Sequence, residues 1–310
     1  MKSIILKSRT LFRNMLAICV LSLSMQSVMA QEAATTPAAE PPPAPSQVKS
    51  TFENSVMINN QTTETFNKNE LGFMIQHRFG VIKDGSDLWG IYAPANIRLG
   101  LNYGITKRLS LGIGVTKARM QTDIEWKYKI LSQMKGGGSP VTVTYYGDVA
   151  RSEAASTSIK NQEGKLNESN RLTFYHELMV SRKFDSHLSV QASMYYAHVN
   201  IVDSATLTHD RIGFSVAARY KFSPQSSIMV TYNRNMTSFD NKFKPLTNAK
   251  DPLKPDLSIG YEVSTGSHQF QIFIAAADGI LNQDVRFNNQ NDFFKKQILI
   301  GFNITRQWGF

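Results

Sequence analysis

Apolar and polar residues alternate with period two along most of the chain after about Asn69. At the C-terminal end, Ile298, Ile300, Phe302, Ile304, Trp308 and Phe310 fall on one parity. Leu299, Gly301, Asn303, Thr305, Gln307 and Gly309 fall on the other. Successive side chains of a strand point to opposite faces, so this pattern predicts one apolar face and one mostly polar face. The same reading predicts twelve strands: Glu70–Gly80, Ala95–Gly104, Leu109–Ala118, Asp123–Leu131, Val141–Val149, Arg171–Phe184, Leu188–Asn200, Arg211–Phe222, Ile228–Met236, Asp256–Val263, Gln269–Ala277 and Gln297–Phe310.

The connections alternate too. Ile105–Arg108, the glycine turn Lys135–Ser139, Asp185–His187, Ser223–Ser227 and Ser264–Ser267 are short. Val81–Pro94, Ala150–Asn170, Thr237–Pro255 and Asp278–Phe294 are long and polar. Short turns at one end and long loops at the other are the pattern of an all-β, up-and-down outer-membrane barrel. Keeping the apolar parity continuous from Val180 to Val190 requires an odd number of loop residues, and a three-residue turn at Asp185–His187, pairing Phe184 with Leu188, satisfies this.

Solvation decides which face is which. Arg98, Glu125, Lys127, Lys129, Glu177, Arg211, Arg219 and Glu262 share a parity with Gly, Ser, Thr and Asn. An Arg or Lys facing lipid at mid-depth costs about 2–4 kcal/mol, so these charges are expected to face the lumen. Aromatics near strand ends, among them Tyr103, Phe184, Tyr220, Phe222, Trp308 and Phe310, suit interfacial girdles. A secreted β-sandwich also alternates, but it would bury the apolar face and leaves the loop parity unexplained.

Residues 1–30 carry Lys2, Lys7, Arg9 and Arg13, a short apolar stretch from Met15 to Leu23, and Val28-Met29-Ala30. This reads as a cleaved signal peptide, the apolar run being short for a membrane-spanning helix of about 20 residues. It contains the single cysteine, Cys19. Residues 31–50, with Pro37 and Pro41-Pro42-Pro43, read as an extended periplasmic leader, and 51–310 as the barrel. The formal charge is +10, from 34 Lys and Arg against 24 Asp and Glu. Removing the four signal-peptide cations leaves 30 against 24, or +6, spread along the chain. No basic run with interleaved aromatics points to nucleic acid.

Several segments resemble one family, the membrane-bound β-barrel proteins known as a domain of unknown function. They are Glu64-Thr65 through Glu70-Leu71 to His77-Arg78-Phe79-Gly80; Ile97-Arg98-Leu99-Gly100-Leu101-Asn102-Tyr103-Gly104-Ile105-Thr106; Leu109-Ser110-Leu111-Gly112-Ile113-Gly114; Tyr128-Lys129; Pro140-Val141-Thr142-Val143; Arg171-Leu172-Thr173; Arg182-Lys183-Phe184; and Gly301-Phe302-Asn303-Ile304. The resemblance spans about residues 52–310. It implies a Gram-negative outer-membrane barrel and brings no catalytic or binding residues with it.

Candidate chemistry is sparse. Twelve-stranded outer-membrane phospholipases set His, Ser and Asn on their outer surface. Here His187-Leu188-Ser189 lies at a short turn and lacks the following Asn-Gly-Arg. His77, His176 and His198 sit on the lipid parity. His77 and His198 are expected near the outer interface, and a bulge is expected to turn His176 inward. A metal or haem site from His176 and His198 would lack Cys or carboxylate co-ligands on that face, and no cofactor is implied.

The lumen charges are the better lead. A twelve-strand barrel tilted about 40° has a backbone diameter of about 24 Å, which leaves at most a narrow path. Arg98, Arg211 and Arg219 could oppose Glu125, Glu177 and Glu262 as a salt-bridged plug. The same residues could filter small polar or anionic solutes. The preferred reading is a narrow channel or solute-binding barrel; the alternative is a closed structural or partner-docking barrel. Phe302, Trp308 and Phe310 form the expected assembly signal, with outer-membrane lipid, the barrel-assembly machinery and periplasmic chaperones as partners. The loops Ala150–Asn170 and Thr237–Pro255 read as adhesive surfaces or solvated caps.

Overall fold

Twelve antiparallel strands close on themselves in a computed structural model that describes residues 44–82, 87–154, 167–201, 209–239 and 253–310. The expected signal peptide, most of the leader and parts of the long loops lie outside the described residues. The wall strands are β1 Glu70–Arg78, β2 Asn96–Gly104, β3 Leu109–Thr116, β4 Gln121–Leu131, β5 Thr142–Ser152, β6 Leu172–Lys183, β7 Leu188–Val199, β8 Asp210–Lys221, β9 Ser226–Phe239, β10 Asp256–Thr265, β11 His268–Ala275 and β12 Leu299–Gly309. Each pairs with its neighbours in chain order, and β12 closes on β1 from Gly301↔Arg78 to Gly309↔Glu70.

All twelve expected strands are present, and their ends move by at most three residues. The β6–β7 turn has the expected length: Lys183 pairs with Ser189, and Phe184 N donates to Leu188 O at 2.9 Å. The Asp185 carboxylate accepts from His187 N and Leu188 N at 2.7 and 2.8 Å, which fixes that turn.

Burial alternates with the sequence, apolar side out. Ile113, Ile124, Met194 and Ile272 are 51–59% exposed, whereas Asp123, Thr144 and Ser258 on the inner parity are fully buried. A water-soluble sandwich would reverse this assignment; a ring of exposed aliphatics around a polar interior needs a lipid surround.

Two segments that belong to no wall strand fill the interior. Residues 51–66 enter from the short-turn end as a hairpin, with Val56–Met57 paired to Asn60–Gln61. From the long-loop end, the connection between β11 and β12 folds inward and carries a short helix, α1 Asn282–Asn288, whose residues 282–286 are all buried. The leader is tied down earlier than its composition suggests: Ser46–Gln47 pairs with Met134–Lys135 in the turn after β4, and Val48 N donates to Gln133 O at 2.8 Å.

Candidate functional site

The hairpin runs most of the length of the lumen. At its base the Glu64 carboxylate accepts from Thr51 N at 2.7 Å and Phe52 N at 3.2 Å, joining the ingoing and outgoing arms. At its tip Ile58 is fully buried with a left-handed φ of 57°. A β-branched residue adopts that conformation only when its surroundings enforce it. Here Ile58 N donates to Gln271 Oε1 (3.2 Å), and Ile58 O accepts from Arg78 Nη2 (3.1 Å) and Asn303 Nδ2 (3.0 Å). Arg78, wholly buried at the far end of β1, also donates to Asn59 Oδ1 and Asn303 Oδ1. Where the chain leaves the lumen, Phe66 lies over Gly72 and the Asn67 carbonyl over Gly104. A Cβ there would come within 2.2 Å of the ring and 1.8 Å of the oxygen. These glycines let the outgoing arm lie flat on the wall.

Most contacts between hairpin and wall are polar. The Lys127 ammonium donates to three hairpin carbonyls, Ser55 (2.5 Å), Thr62 (3.0 Å) and Glu64 (3.4 Å). Thr63 meets Ser181 Oγ at 2.5 Å, Gln191 Oε1 and Thr144 Oγ1. Lys129 lies 3.5 Å from Glu64 Oε2. Arg219 and Lys221 hold Glu53 Oε1 at 3.2 and 3.1 Å. Besides Phe66 on Gly72, the apolar contribution includes a cluster of Phe52, Met57 and Ile58 against Ala217, Met229, Phe273, Ala275 and Leu299. The gap between the hairpin and the β2–β4 wall is about 10 Å³, room for about one water.

The eight sequence-predicted lumen charges are all buried inside the wall. Arg98 pairs with Glu125 at 3.2 Å and with Asp123 through a short bidentate contact. Arg219 pairs with Glu262 at 2.8 Å. Glu177 accepts from the hydroxyls of Ser193, Ser215 and Tyr175. Arg211 lies 5.1 Å from the Phe287 ring of α1. Lys127 and Lys129 serve the hairpin. The sequence reading missed Arg78, Asp123 and Asp148, although each stands on the lumen parity beside residues it used. It also missed Glu53, Glu64, Gln283 and Arg286, which lie in segments without strand periodicity.

The helix α1 caps the other end. Gln283 donates to Asp148 Oδ1 at 2.5 Å. The Arg286 guanidinium sits 4.6 Å from the Tyr195 ring, with Nη2 on Asn233 Oδ1 at 3.2 Å. Asp284 faces Arg119 at 3.6 Å and Gln121. Burial raises the Asp284 carboxyl, and nearby Asp278 and Asp123 add to this. Arg119 and Gln121 oppose it, and the carboxyl ends above its ordinary value.

One expectation is corrected at the outer face. His176 does not turn inward and β6 has no bulge: His176 pairs in regular register with Tyr196 and Gly147. Its Nδ1 meets Tyr145 Oη at 2.7 Å, and Tyr196 stacks on the ring, so an outward imidazole is satisfied where it stands. His77 stacks on Phe302 at 4.9 Å, and His198 Nδ1 meets Asp210 Oδ1 at 2.6 Å. Among the described residues no three His, Cys, Asp or Glu come together as a metal site. The His187-x-Ser189 pair is split: His187 Nδ1 meets Lys221 O, and Ser189 is buried in the lumen. Trp308 stands opposite Leu71 under the Arg306 guanidinium, and Phe310 is 82% exposed.

No curated protein matches the chain. Among solved structures it is similar to NanC porin (9% identity, TM-score 0.48, 76% of this chain and 98% of that one). It is also similar to an outer membrane channel from Pseudomonas putida F1 (11%, 0.47, 79% and 97%). A third likeness is to an active-site mutant of outer membrane phospholipase A from Escherichia coli (11%, 0.37, 78% and 91%). The family model for the membrane bound beta barrel domain (DUF5777) matches residues 52–308, which include the hairpin and nearly all of the wall, and the chain belongs to that family.

Proposed function

We propose that the chain is an outer-membrane channel for small polar solutes that rests closed, with residues 51–66 as its gate. The observation that carries this is the chemistry of the seam between hairpin and wall. Ser181, Gln191, Gln271 and Asn303 hold the hairpin by neutral hydrogen bonds that water replaces at little net cost. A barrel built only as a solid post gains more from an apolar filling, because buried ion pairs such as Arg98–Glu125 seldom repay their desolvation. A charged wall is economical if it is wetted in a second state. The lumen charges then face the solute path once the hairpin leaves.

Under this reading the short-turn end, where the hairpin and the chain terminus lie, faces the periplasm. The barrel is not an enzyme, and Phe302, Trp308 and Phe310 are read by the assembly machinery. The test is planar-bilayer conductance of the mature chain beside a variant lacking residues 44–66, with folding of both checked by heat-modifiable migration. The mature chain is expected to be silent apart from brief openings, and the deletion to conduct steadily with ion selectivity. A folded deletion variant that stays silent rejects the channel in favour of a closed structural barrel.

A further inference from the structure

A recess of about 840 Å³ opens at the short-turn end, between residues 47–50 of the leader, the base of the hairpin and the ends of β2–β4. Its lining carries four cations, Lys49, Lys107, Arg108 and Lys129, and a single carboxylate, Glu64. Glu64 is also the clasp of the hairpin: Oε1 holds the amides of Thr51 and Phe52, and Oε2 faces Lys129 at 3.5 Å. Among the described residues no carboxylate pairs with Lys49, Lys107 or Arg108, so the recess presents an uncompensated positive field around one occupied ammonium.

We propose that this recess binds small multivalent anions bearing carboxylate or phosphate groups, and that the bound anion competes with Glu64 for Lys129. The inference deepens the channel reading and its gating half rests on it. An anion on Lys107, Arg108 and Lys129 draws the ammonium away from the clasp, leaving Glu64 only its two backbone donors. The anion turns the Lys129 ammonium toward Lys107 and Arg108 and weakens its 3.5 Å contact with Glu64, so occupancy favours the state in which the hairpin base has opened. By linkage, opening raises anion affinity by the same factor. The site therefore admits the class of solute that unlatches the gate, from the side on which the clasp lies.

Citrate is the probe. Isothermal titration of citrate into the refolded mature chain, against chloride at equal ionic strength, is expected to give saturable binding. Lys107→Glu with Arg108→Glu, both in an exposed turn, should weaken that binding about tenfold or more. Glu64→Gln removes the competitor and should tighten it. In bilayers, citrate added on the short-turn side should raise the opening frequency, and from the other side it should not. No citrate-specific heat, or equal binding by the charge-reversed variant, overturns the site. Binding with no effect on openings overturns the competition. Calorimetry needs no conduction, so an anion site on a non-conducting barrel would refute the channel and leave the site standing.

Discussion

Replacing Lys127 with methionine tests the hold of the wall on the gate. Lys127 is 6% exposed, and its ammonium donates to the carbonyls of Ser55, Thr62 and Glu64, one from the ingoing arm and two from the outgoing arm. Methionine keeps much of the stem and removes all three donors. Each charge-assisted bond is worth about 1.5–3 kcal/mol. The three bonds share one ammonium and do not add, so the loss is close to that of a single such bond. A net weakening of about 2 kcal/mol follows, or about 30-fold in the closed-to-open ratio. Cys19 is the chain's one cysteine, so Thr63→Cys in a chain lacking residues 1–30 places a single thiol on the buried outgoing arm. Where reclosing outruns labelling, the rate of modification by a water-soluble maleimide reports the open fraction. It is expected to rise about 30-fold with Lys127→Met. Equal labelling rates in two folded barrels would refute the claim that Lys127 latches the hairpin.

Other consequences concern the wall, the cap and the terminus. Arg98→Ala leaves Asp123 and Glu125 buried without their cation and should cost about 3–5 kcal/mol, read as a lower unfolding temperature by heat-modifiable migration; an unchanged temperature contradicts the pairing. The raised Asp284 carboxyl makes docking of α1 take up a proton. That contribution is fully present below the ordinary carboxyl value of 3.8 and is lost as pH rises through the higher docked value. Hydrogen-exchange protection of residues 282–288, corrected for intrinsic rates, should therefore fall as pH rises above the ordinary value in the native chain and stay flat in Asp284→Asn. Phe310, 82% exposed, should be dispensable for the stability of the refolded barrel. Its removal should lower the yield of assembled barrel in cells, and a full yield would refute its role as an assembly signal.

The wall was legible because a strand in a membrane barrel is constrained on both faces. Leu99 and Leu101 face lipid and Arg98 and Asn102 face the lumen, so one parity choice fixes register from β1 to β12. Continuity of that parity demanded an odd β6–β7 turn, and the three-residue turn at Asp185–His187 meets it. The hairpin was not legible. The run from Thr51 to Phe66 has no period of two, because it is surrounded by wall on all sides and has no outer face to make apolar. Its tip uses Ile58 in a left-handed conformation where turn chemistry predicts Gly or Asn. The helix α1 is short and buries Asn282, Gln283, Asp284 and Arg286, which read as part of a long polar connection until the wall residues that pair with them are in view. For the same reason the reading placed Arg98, Glu125, Arg219 and Glu262 but could not say that Lys127 and Lys129 serve the hairpin. His176 was misplaced because the pattern penalised an outward imidazole without seeing Tyr145 beside it.

The central claim is that the hairpin moves. Thr63 Oγ1 and Ser181 Oγ lie 2.5 Å apart across the seam, close enough for a Thr63→Cys, Ser181→Cys pair to form a disulfide. Single-channel recordings of that variant, oxidised and then reduced in the same bilayer, test the claim most directly. The account predicts no openings while the bridge is intact and their return on reduction. Openings that are identical in the two states would mean that solute passes, if at all, with the hairpin in place.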